Sequence, residues 1–249
     1  MTIQHATPMN ESDRSPLVAE LFAAPARAGA LLCSGTNVDD LPCEERLAVV
    51  GAAAQRQQEF AGGRLCARSL LAKLGVERAV LACRADGAPQ WPPGFVGSIA
   101  HSGGLCVAAV APTSVARGIG IDVEVAASIE VGAWDLMCTP RELSRLRSQG
   151  NAATAGFLAT MLFSAKESTY KSFQSESIGG FEPRGIEIDW DGAASAFCAT
   201  IAGVDEAVAG TLIQRRGWIL SGVLRRQPGQ LPEWVGNGTQ TSGATAVQR

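Results

Sequence analysis

Charge is scarce in this chain. Asp, Glu, Lys and Arg together supply 18% of its 249 residues, and the net charge is −3. Domains that bind nucleic acid are typically basic, so no nucleic-acid partner is expected, and an anionic ligand has to be met by a local cluster of cations. Long apolar runs are also missing. A stretch such as Leu105 to Ala111 falls far below the roughly 20 residues that span a bilayer. The opening MTIQHATPMNESDRSP has no basic start followed by an apolar stretch, so no signal peptide and no membrane span are expected. Cysteine is present but without pattern: the seven, Cys33, Cys43, Cys66, Cys83, Cys106, Cys138 and Cys198, are scattered singly with no CxxC pair. Neither a disulfide framework nor a zinc site follows; most should be small core residues, and a reducing cytoplasm fits. Catalytic signatures are absent too. There is no GxxxxGK[ST] and no HExxH. Gly118-x-Gly120 runs into Asp122 rather than a dinucleotide fingerprint, and Ala100 stands where a nucleophile elbow needs glycine.

What is present is ample apolar content, 46%, in a chain longer than the usual domain of about 100–150 residues. One large domain or two packed halves would both accommodate it. The stretch from Cys43 to Phe60 lacks proline and reads as a helix, interrupted at Gly62-Gly63. A second helix runs from Arg64 to Leu74, with Ala67, Leu70, Leu71 and Leu74 as its stripe and Gly75 as its stop. Ala79 to Cys83 reads as a short strand, followed by a turn-rich segment, Asp86 to Gly94. Strands at Phe95 to Ala100, Leu105 to Ala111 and Gly118 to Val125 have short connections and read as antiparallel neighbours. Thr139-Pro140-Arg141-Glu142 has the form of a capping box opening a brief helix. Phe157 to Phe173 is a long helix, and late strands follow at 185–190, 196–202 and 217–224. From Gln227 onward Pro, Gly, Thr and Ser dominate and disorder is expected.

Four segments carry chemistry. In Gly118 to Val125 (GIGIDVEV) side chains alternate, so Ile119, Ile121, Val123 and Val125 share one face and Asp122 and Glu124 the other. Two carboxylates two residues apart make an oxygen-rich site suited to Mg²⁺, which recruits phosphate oxygens and water as further ligands; a lone D-x-E is more often a solvated strand face. In FSAKESTYK, Phe163, Glu167 and Lys171 are four apart and share a helix face. Taken alone, Glu167–Lys171 is an ordinary surface pair; facing Asp122 and Glu124, Glu167 would complete a carboxylate set, and Lys171 would neutralise or protonate a leaving group. Lys166, about 100° round the helix, would reach a neighbouring phosphate. In VGSIAHSGG, His101 and Ser102 precede Gly103-Gly104, where backbone can approach a ligand closely. In RQQEFAGGRLCAR, Arg56, Arg64 and Arg68 offer cations, and Arg64, just past the glycine pair at an expected helix N-terminus, is the best placed for phosphate.

In this order the segments resemble the phosphopantetheinyl transferases, the surfactin-type group and its branch similar to enterobactin synthetase component D. The most specific parts are Gly120-Ile121-Asp122-Val123-Glu124 and Phe163-Ser164-Ala165-Lys166-Glu167-Ser168 ending at Lys171; Arg56 to Arg64, Trp91-Pro92 and Ser98 to Ser102 support the branch. The resemblance implies an α/β (α+β) pseudo-dimeric fold, two similar halves each with a small antiparallel sheet packed on a long helix, and a ligand in the cleft between them. On that basis residues 16–117 and 118–226 are expected to form the halves, flanked by a flexible 1–15 and a disordered 227–249. It also implies the reaction, in which a serine of an apo acyl or peptidyl carrier protein attacks the β-phosphate of coenzyme A, takes the 4′-phosphopantetheine arm and releases adenosine 3′,5′-bisphosphate. By the same resemblance Asp122, Glu124 and Glu167 match magnesium ligands, with Glu167 also the base; Lys171 matches the lysine at the leaving phosphate. His101, Arg56 and Arg64 match cofactor-phosphate contacts, and Lys166 and Ser102 lesser ones. Relatives often carry a basic residue in the turn that here reads Asp86-Gly87-Ala88-Pro89, so one phosphate contact is either lost here or supplied from elsewhere, with Arg84 a candidate. Internal duplication favours a monomer, and Arg141, Arg145 and Arg147 are candidates to dock an acidic carrier. Other readings are a coenzyme A-binding module without transfer activity, and a metal-dependent pyrophosphate hydrolase.

Overall fold

A computed structural model describes residues 15–174, 176, 180, 182–190 and 195–227. The expectations for the N-terminal stretch and for nearly all of the C-terminal tail lie outside these residues. The elements are α1 (Ser15–Ala19), β1 (Arg27–Leu32), α2 (Cys43–Arg46), α3 (Ala54–Ala72), β2 (Phe95–Ser102), β3 (Leu105–Pro112), β4 (Ala116–Val125), α4 (Val131–Met137), α5 (Pro140–Arg147), α6 (Ala152–Lys171), β5 (Ile186–Asp189), β6 (Ala196–Ile201), β7 (Ala207–Arg215) and β8 (Trp218–Arg226). Two antiparallel sheets result, a three-stranded one ordered β1-β3-β2 and a five-stranded one ordered β4-β8-β7-β6-β5.

The apolar run in β3 explains how these layers stack. Ala108 and Val110 join Cys66, Ala67, Leu70 and Leu71 of α3 in one core. Val107, Ala109 and Ala111, pointing the other way, meet Ile119, Ile121 and Val123 of β4 and Leu220 of β8 in a second. β3 is buried on both faces and therefore reads as continuous hydrophobe rather than alternation. On the far side α6 contributes Ala155, Ala159, Leu162 and Ala165 to a third core with Ile188, Phe197, Leu212 and Val223 of the larger sheet. The order is helix, sheet, sheet, helix: each half is a sheet on a long helix, and the sheets face one another.

Glycines set how closely helices approach. The expected break at Gly62-Gly63 does not occur, and α3 runs through both. A Cβ at Gly62 would stand 2.8 Å from Cys106 Sγ, and one at Gly63 2.5 Å from Ile99 Cγ2. The pair is there to let the helix lie on the sheet, and packing outweighs the propensity cost of roughly 1 kcal/mol per glycine. The helix expected over 43–60 is instead the short α2, a 3₁₀ turn at Leu47–Val49, and the start of α3. Gly118 and Gly120 play the same part in β4, where added Cβ atoms would overlap the carbonyl oxygens of Ser172, the C-cap of α6, and of Ser168 within it.

Three further expectations are corrected. Ala79 to Cys83 is not a strand; only an isolated bridge, Cys83 to Pro89, forms. Side chains take the place of a strand partner at Leu81: its N donates to Glu45 Oε1 at 2.6 Å and its O accepts from Arg64 Nε at 3.1 Å, while Ala82 O accepts from Gln90 N at 2.8 Å. β4 pairs with β8, not with β3, although Ile121 N donates to Ser98 Oγ of β2 across the sheets at 3.1 Å. The long helix begins earlier, at Ala152, with the Asn151 side chain accepting from Ala153 N and Thr154 N. The capping box at Thr139 and Glu142 is present. All seven cysteines are free, and Cys43 and Cys198 are exposed rather than core. No described helix is long and apolar enough to cross a membrane.

Candidate active site between the two sheets

The residues of interest meet at one end of the sheet interface. The β2–β3 hairpin turns through Gly103 and Gly104, both with positive φ (48° and 86°), as a two-residue hairpin requires. That turn leaves His101 and Ser102 at the end of β2. Ser102 Oγ donates to Glu124 Oε2 of β4 at 2.9 Å, tying the halves together. Glu167 and Lys171 approach from α6, which can lie this close only because residue 120 is glycine.

Lys171 is the hub of the cluster. Its Nζ lies 2.7 Å from Asp122 Oδ1 and 3.5 Å from Glu167 Oε2. Burial works against its charge, but Asp122 and then Glu167 outweigh that, and its pKa rises; it stays an ammonium at neutral pH. Asp122 is 3% exposed, and its other oxygen, Oδ2, is buried without a hydrogen-bond partner. Burial raises the Asp122 pKa, with Lys171 first, and the Ser164 hydroxyl and Val123 amide after it, pulling the other way. Glu167 is likewise raised, by burial first and opposed by Lys171. Burial, then the Asp122 charge, push Glu124 up to about 7. Three carboxylates and one ammonium leave the cluster short of positive charge.

That deficit bears on the expected magnesium site. Among the described residues no group of three or more His, Cys, Asp and Glu is arranged to hold a metal ion, so the three-carboxylate set is not assembled as such. Lys171 takes one Asp122 oxygen. The donors are nevertheless all oxygens, the class that Mg²⁺ and Ca²⁺ select, and the orphaned Oδ2 lacks the partner that a buried carboxylate oxygen needs. Mg²⁺ binds through one or two carboxylates, with phosphate and water completing its shell; Asp122 and Glu124 fit that demand.

At the end of β2, Arg56 Nη1 lies 2.6 Å from His101 Nε2, and Glu59 Oε2 lies 3.3 Å from His101 Nδ1. Glu59 was not singled out by the sequence, although its spacing of three from Arg56 places the two on neighbouring positions of a helix. A narrow cleft of about 40 Å³ opens beside Lys171, lined among others by Arg84, Trp91, Gly97, Gly118 and Gln174. Arg84 spans the halves, pairing with Asp86 at 3.2 Å and donating to Gln174 O at 3.4 Å. A larger cavity of about 640 Å³, between Pro140, Tyr170, Arg184 and Ile201, holds none of the carboxylates of the cluster.

Two expected site residues are elsewhere. Arg64 is in mid-helix, not at an N-terminus. It is 5% exposed, stacked on Phe60 at 3.4 Å, and bonded to Leu81 O and Cys83 Sγ; eight residues along a helix from Arg56 is about 12 Å away. Lys166 is fully buried, and its three N–H groups go to Glu142 Oε2 at 2.6 Å, Met137 O at 2.8 Å and Pro183 O at 2.9 Å. It anchors α6 to α5 and faces away from the carboxylate cluster. The α5 arginines are engaged as well: Arg141 with Glu187 and Asp189, Arg147 with Asp135, and Arg145 with Trp190 O and the Trp190 ring.

Two family models match the chain in succession: the 4′-phosphopantetheinyl transferase N-terminal domain over residues 44–111, and the 4′-phosphopantetheinyl transferase superfamily over residues 118–210. Among curated proteins, 4′-phosphopantetheinyl transferase Npt of Nocardia iowensis is 35% identical over 157 residues, 63% of this chain and 69% of that protein. 4′-Phosphopantetheinyl transferase PptT of Mycobacterium tuberculosis is 34% identical over 150 residues, 59% of this chain and 65% of that protein. Enterobactin synthase component D of Escherichia coli K12 is 33% identical over 129 residues, 51% of this chain and 59% of that protein. The two matches follow one another along the two halves, the second beginning at Gly118 inside the strand that carries Asp122 and Glu124, and with the Nocardia iowensis protein covered over 69% of its length they identify the family: this chain is a member of the 4′-phosphopantetheinyl transferase family.

Proposed function

We propose that the chain transfers the 4′-phosphopantetheine arm of coenzyme A to a serine of an apo acyl or peptidyl carrier protein, with Mg²⁺, and releases adenosine 3′,5′-bisphosphate. The observation that carries this reading is the cation-deficient cluster, in which Asp122 Oδ2 is buried and unpartnered beside a Glu124 whose pKa is pushed up to about 7. A diphosphate arriving with a divalent cation supplies both the ligand and the charge that this arrangement lacks. Asp122 and Glu124 would hold the ion, which when bound would draw charge from the phosphoryl oxygens.

The residues divide the remaining work. Phosphoryl transfer depends chiefly on positioning and on charge stabilisation. Arg56, backed by His101 of β2, faces the cofactor phosphates from α3, and Arg84 reaches the cleft from the turn where relatives often carry a cation. Glu167, with its pKa raised by burial, takes the proton of the carrier serine as that oxygen bonds to the β-phosphorus. The bond from the β-phosphorus to the bridging oxygen breaks, and Lys171, held as an ammonium, balances the charge on the departing phosphate. Tight geometry of this kind is worth about 7–11 kcal/mol of the barrier.

Intact-mass spectrometry of apo carrier proteins with coenzyme A tests the reading. The carrier should gain the phosphopantetheine mass in the presence of Mg²⁺ and gain nothing in excess chelator or with Asp122→Ala. Coenzyme A binding without mass gain on any carrier would instead support a binding module without transfer activity.

A further inference from the structure

His101 has hydrogen-bonding groups at both ring nitrogens. Arg56 Nη1 lies 2.6 Å from Nε2, and Glu59 Oε2 lies 3.3 Å from Nδ1. A guanidinium is only a donor and a carboxylate only an acceptor. One protonation form satisfies both: the neutral ring with its proton on Nδ1. An imidazolium, or the Nε2–H tautomer, would set an N–H against an Arg56 N–H. Glu59 is the inner partner, with its side chain 14% exposed against 32% for His101. The charges facing the ring are Glu59, Arg56, Lys171 and Asp122; burial lowers the His101 pKa, Arg56 and Lys171 add to that, and Glu59 and Asp122 oppose it.

We propose that Glu59 is a positioning residue, whose carboxylate fixes the Nδ1–H tautomer of His101 so that Nε2 accepts from Arg56 and holds that guanidinium ready for a phosphate ester. The relay runs Glu59, His101, Arg56, ligand, and Glu59 itself touches no substrate. The phosphate end of the relay rests on the coenzyme A reading; the tautomer does not. Without Glu59, nothing described at Nδ1 selects the proton position, and a ring protonated at Nε2 can no longer accept from Arg56.

Long-range ¹H–¹⁵N correlation spectra of ¹⁵N-histidine-labelled protein read the tautomer directly. The chain has two histidines, so His5→Ala leaves one signal set. The wild-type ring should show a protonated Nδ1 and a bare Nε2 near neutral pH. Glu59→Gln, whose carbonyl still accepts, should preserve that pattern, and Glu59→Ala should shift it to Nε2–H or to a mixture. Coenzyme A affinity should fall roughly tenfold in Glu59→Ala, with the double variant Glu59→Ala/His101→Ala no weaker than His101→Ala alone, as expected of residues acting in series. An Nε2–H or doubly protonated ring in the wild type, an unchanged Nδ1–H ring in Glu59→Ala, or additive losses would overturn the proposal. Should Glu59→Ala not fold, the wild-type and Glu59→Gln spectra still decide it. A wild-type protein with the Nδ1–H ring that binds no coenzyme A would count against the proposed function and leave the tautomer assignment standing.

Discussion

Gly120→Ala probes the link between fold and site in a single methyl group. An added Cβ would overlap the Ser168 carbonyl oxygen and stand 2.9 Å from Ser168 C and 2.8 Å from Ser172 N. These are backbone atoms of α6 and of the turn that ends it, so no side chain can rotate away; the helix must move off β4. Overpacking of a well-filled core costs typically 1–3 kcal/mol, and a rigid backbone obstacle puts this case at about 3 kcal/mol or above. For a chain of this size each kcal/mol shifts the melting temperature by about 2–4 °C, so a fall of about 6–12 °C is expected. The displaced helix carries Glu167 and Lys171, while β4 carries Asp122. A misplacement of about 1 Å can cost a hundredfold in rate, and turnover at a temperature where the variant is folded should fall by about that factor. Calorimetry and a transfer assay on the same sample measure both. A variant melting within about 2 °C of the wild type and turning over normally would refute the claim that helix and strand are in backbone contact at this point.

Other substitutions separate scaffold from chemistry. Lys166→Met leaves Glu142, 3% exposed, without its ammonium, and should cost about 3–5 kcal/mol in chemical denaturation, with part of the loss recovered in Lys166→Met/Glu142→Gln. Arg64→Lys gives up the stack on Phe60 and the fixed fork onto Leu81 O and Cys83 Sγ. It should lower stability by about 1–3 kcal/mol while leaving the coenzyme A affinity of the folded protein unchanged; a selective loss of affinity would restore Arg64 as a phosphate ligand. Glu124 gives a pH signature in metal-free buffer. Its folded pKa of about 7 lies above the ordinary 4.5, so the folded state holds a proton that the unfolded chain releases. The stability from this site is complete at low pH and declines as pH rises from about 4.5 toward 7. Glu124→Gln should therefore melt with the wild type in acid and above it at alkaline pH; equal melting at both ends would contradict the raised pKa.

The sequence is most informative where a residue's role is local. The alternation of β4, the capping box at Thr139 and Glu142, and the four-residue spacing of Glu167 and Lys171 all follow from periodicity, and all are present in the structure. Where tertiary contact decides, local pattern misleads. Gly62 and Gly63 look like a helix break until the sheet beneath α3 is known to need them. The apolar run at 79–83 has strand composition, but Leu81 at its centre spends its backbone hydrogen bonds on Glu45 and Arg64. Lys166 sits one residue from Glu167 in sequence yet faces α5, a distinction that helical phase suggests but only the buried Glu142 partner settles. β1, β7, α1 and α4 escaped because each is short or carries no sharp pattern. Glu59 escaped because its partner, His101, is forty-two positions away and brought near only by the packing of α3 on β2.

The claim at the centre of the account is that Asp122 and Glu124 take up a divalent cation together with the coenzyme A diphosphate. Isothermal titration of Mg²⁺ into the protein, with and without coenzyme A, tests it directly, using Asp122→Asn as the comparison. Tight Mg²⁺ uptake only when coenzyme A is present, abolished in Asp122→Asn, is the predicted result. Coenzyme A binding that is indifferent to Mg²⁺, or cation uptake undiminished in Asp122→Asn, would contradict it.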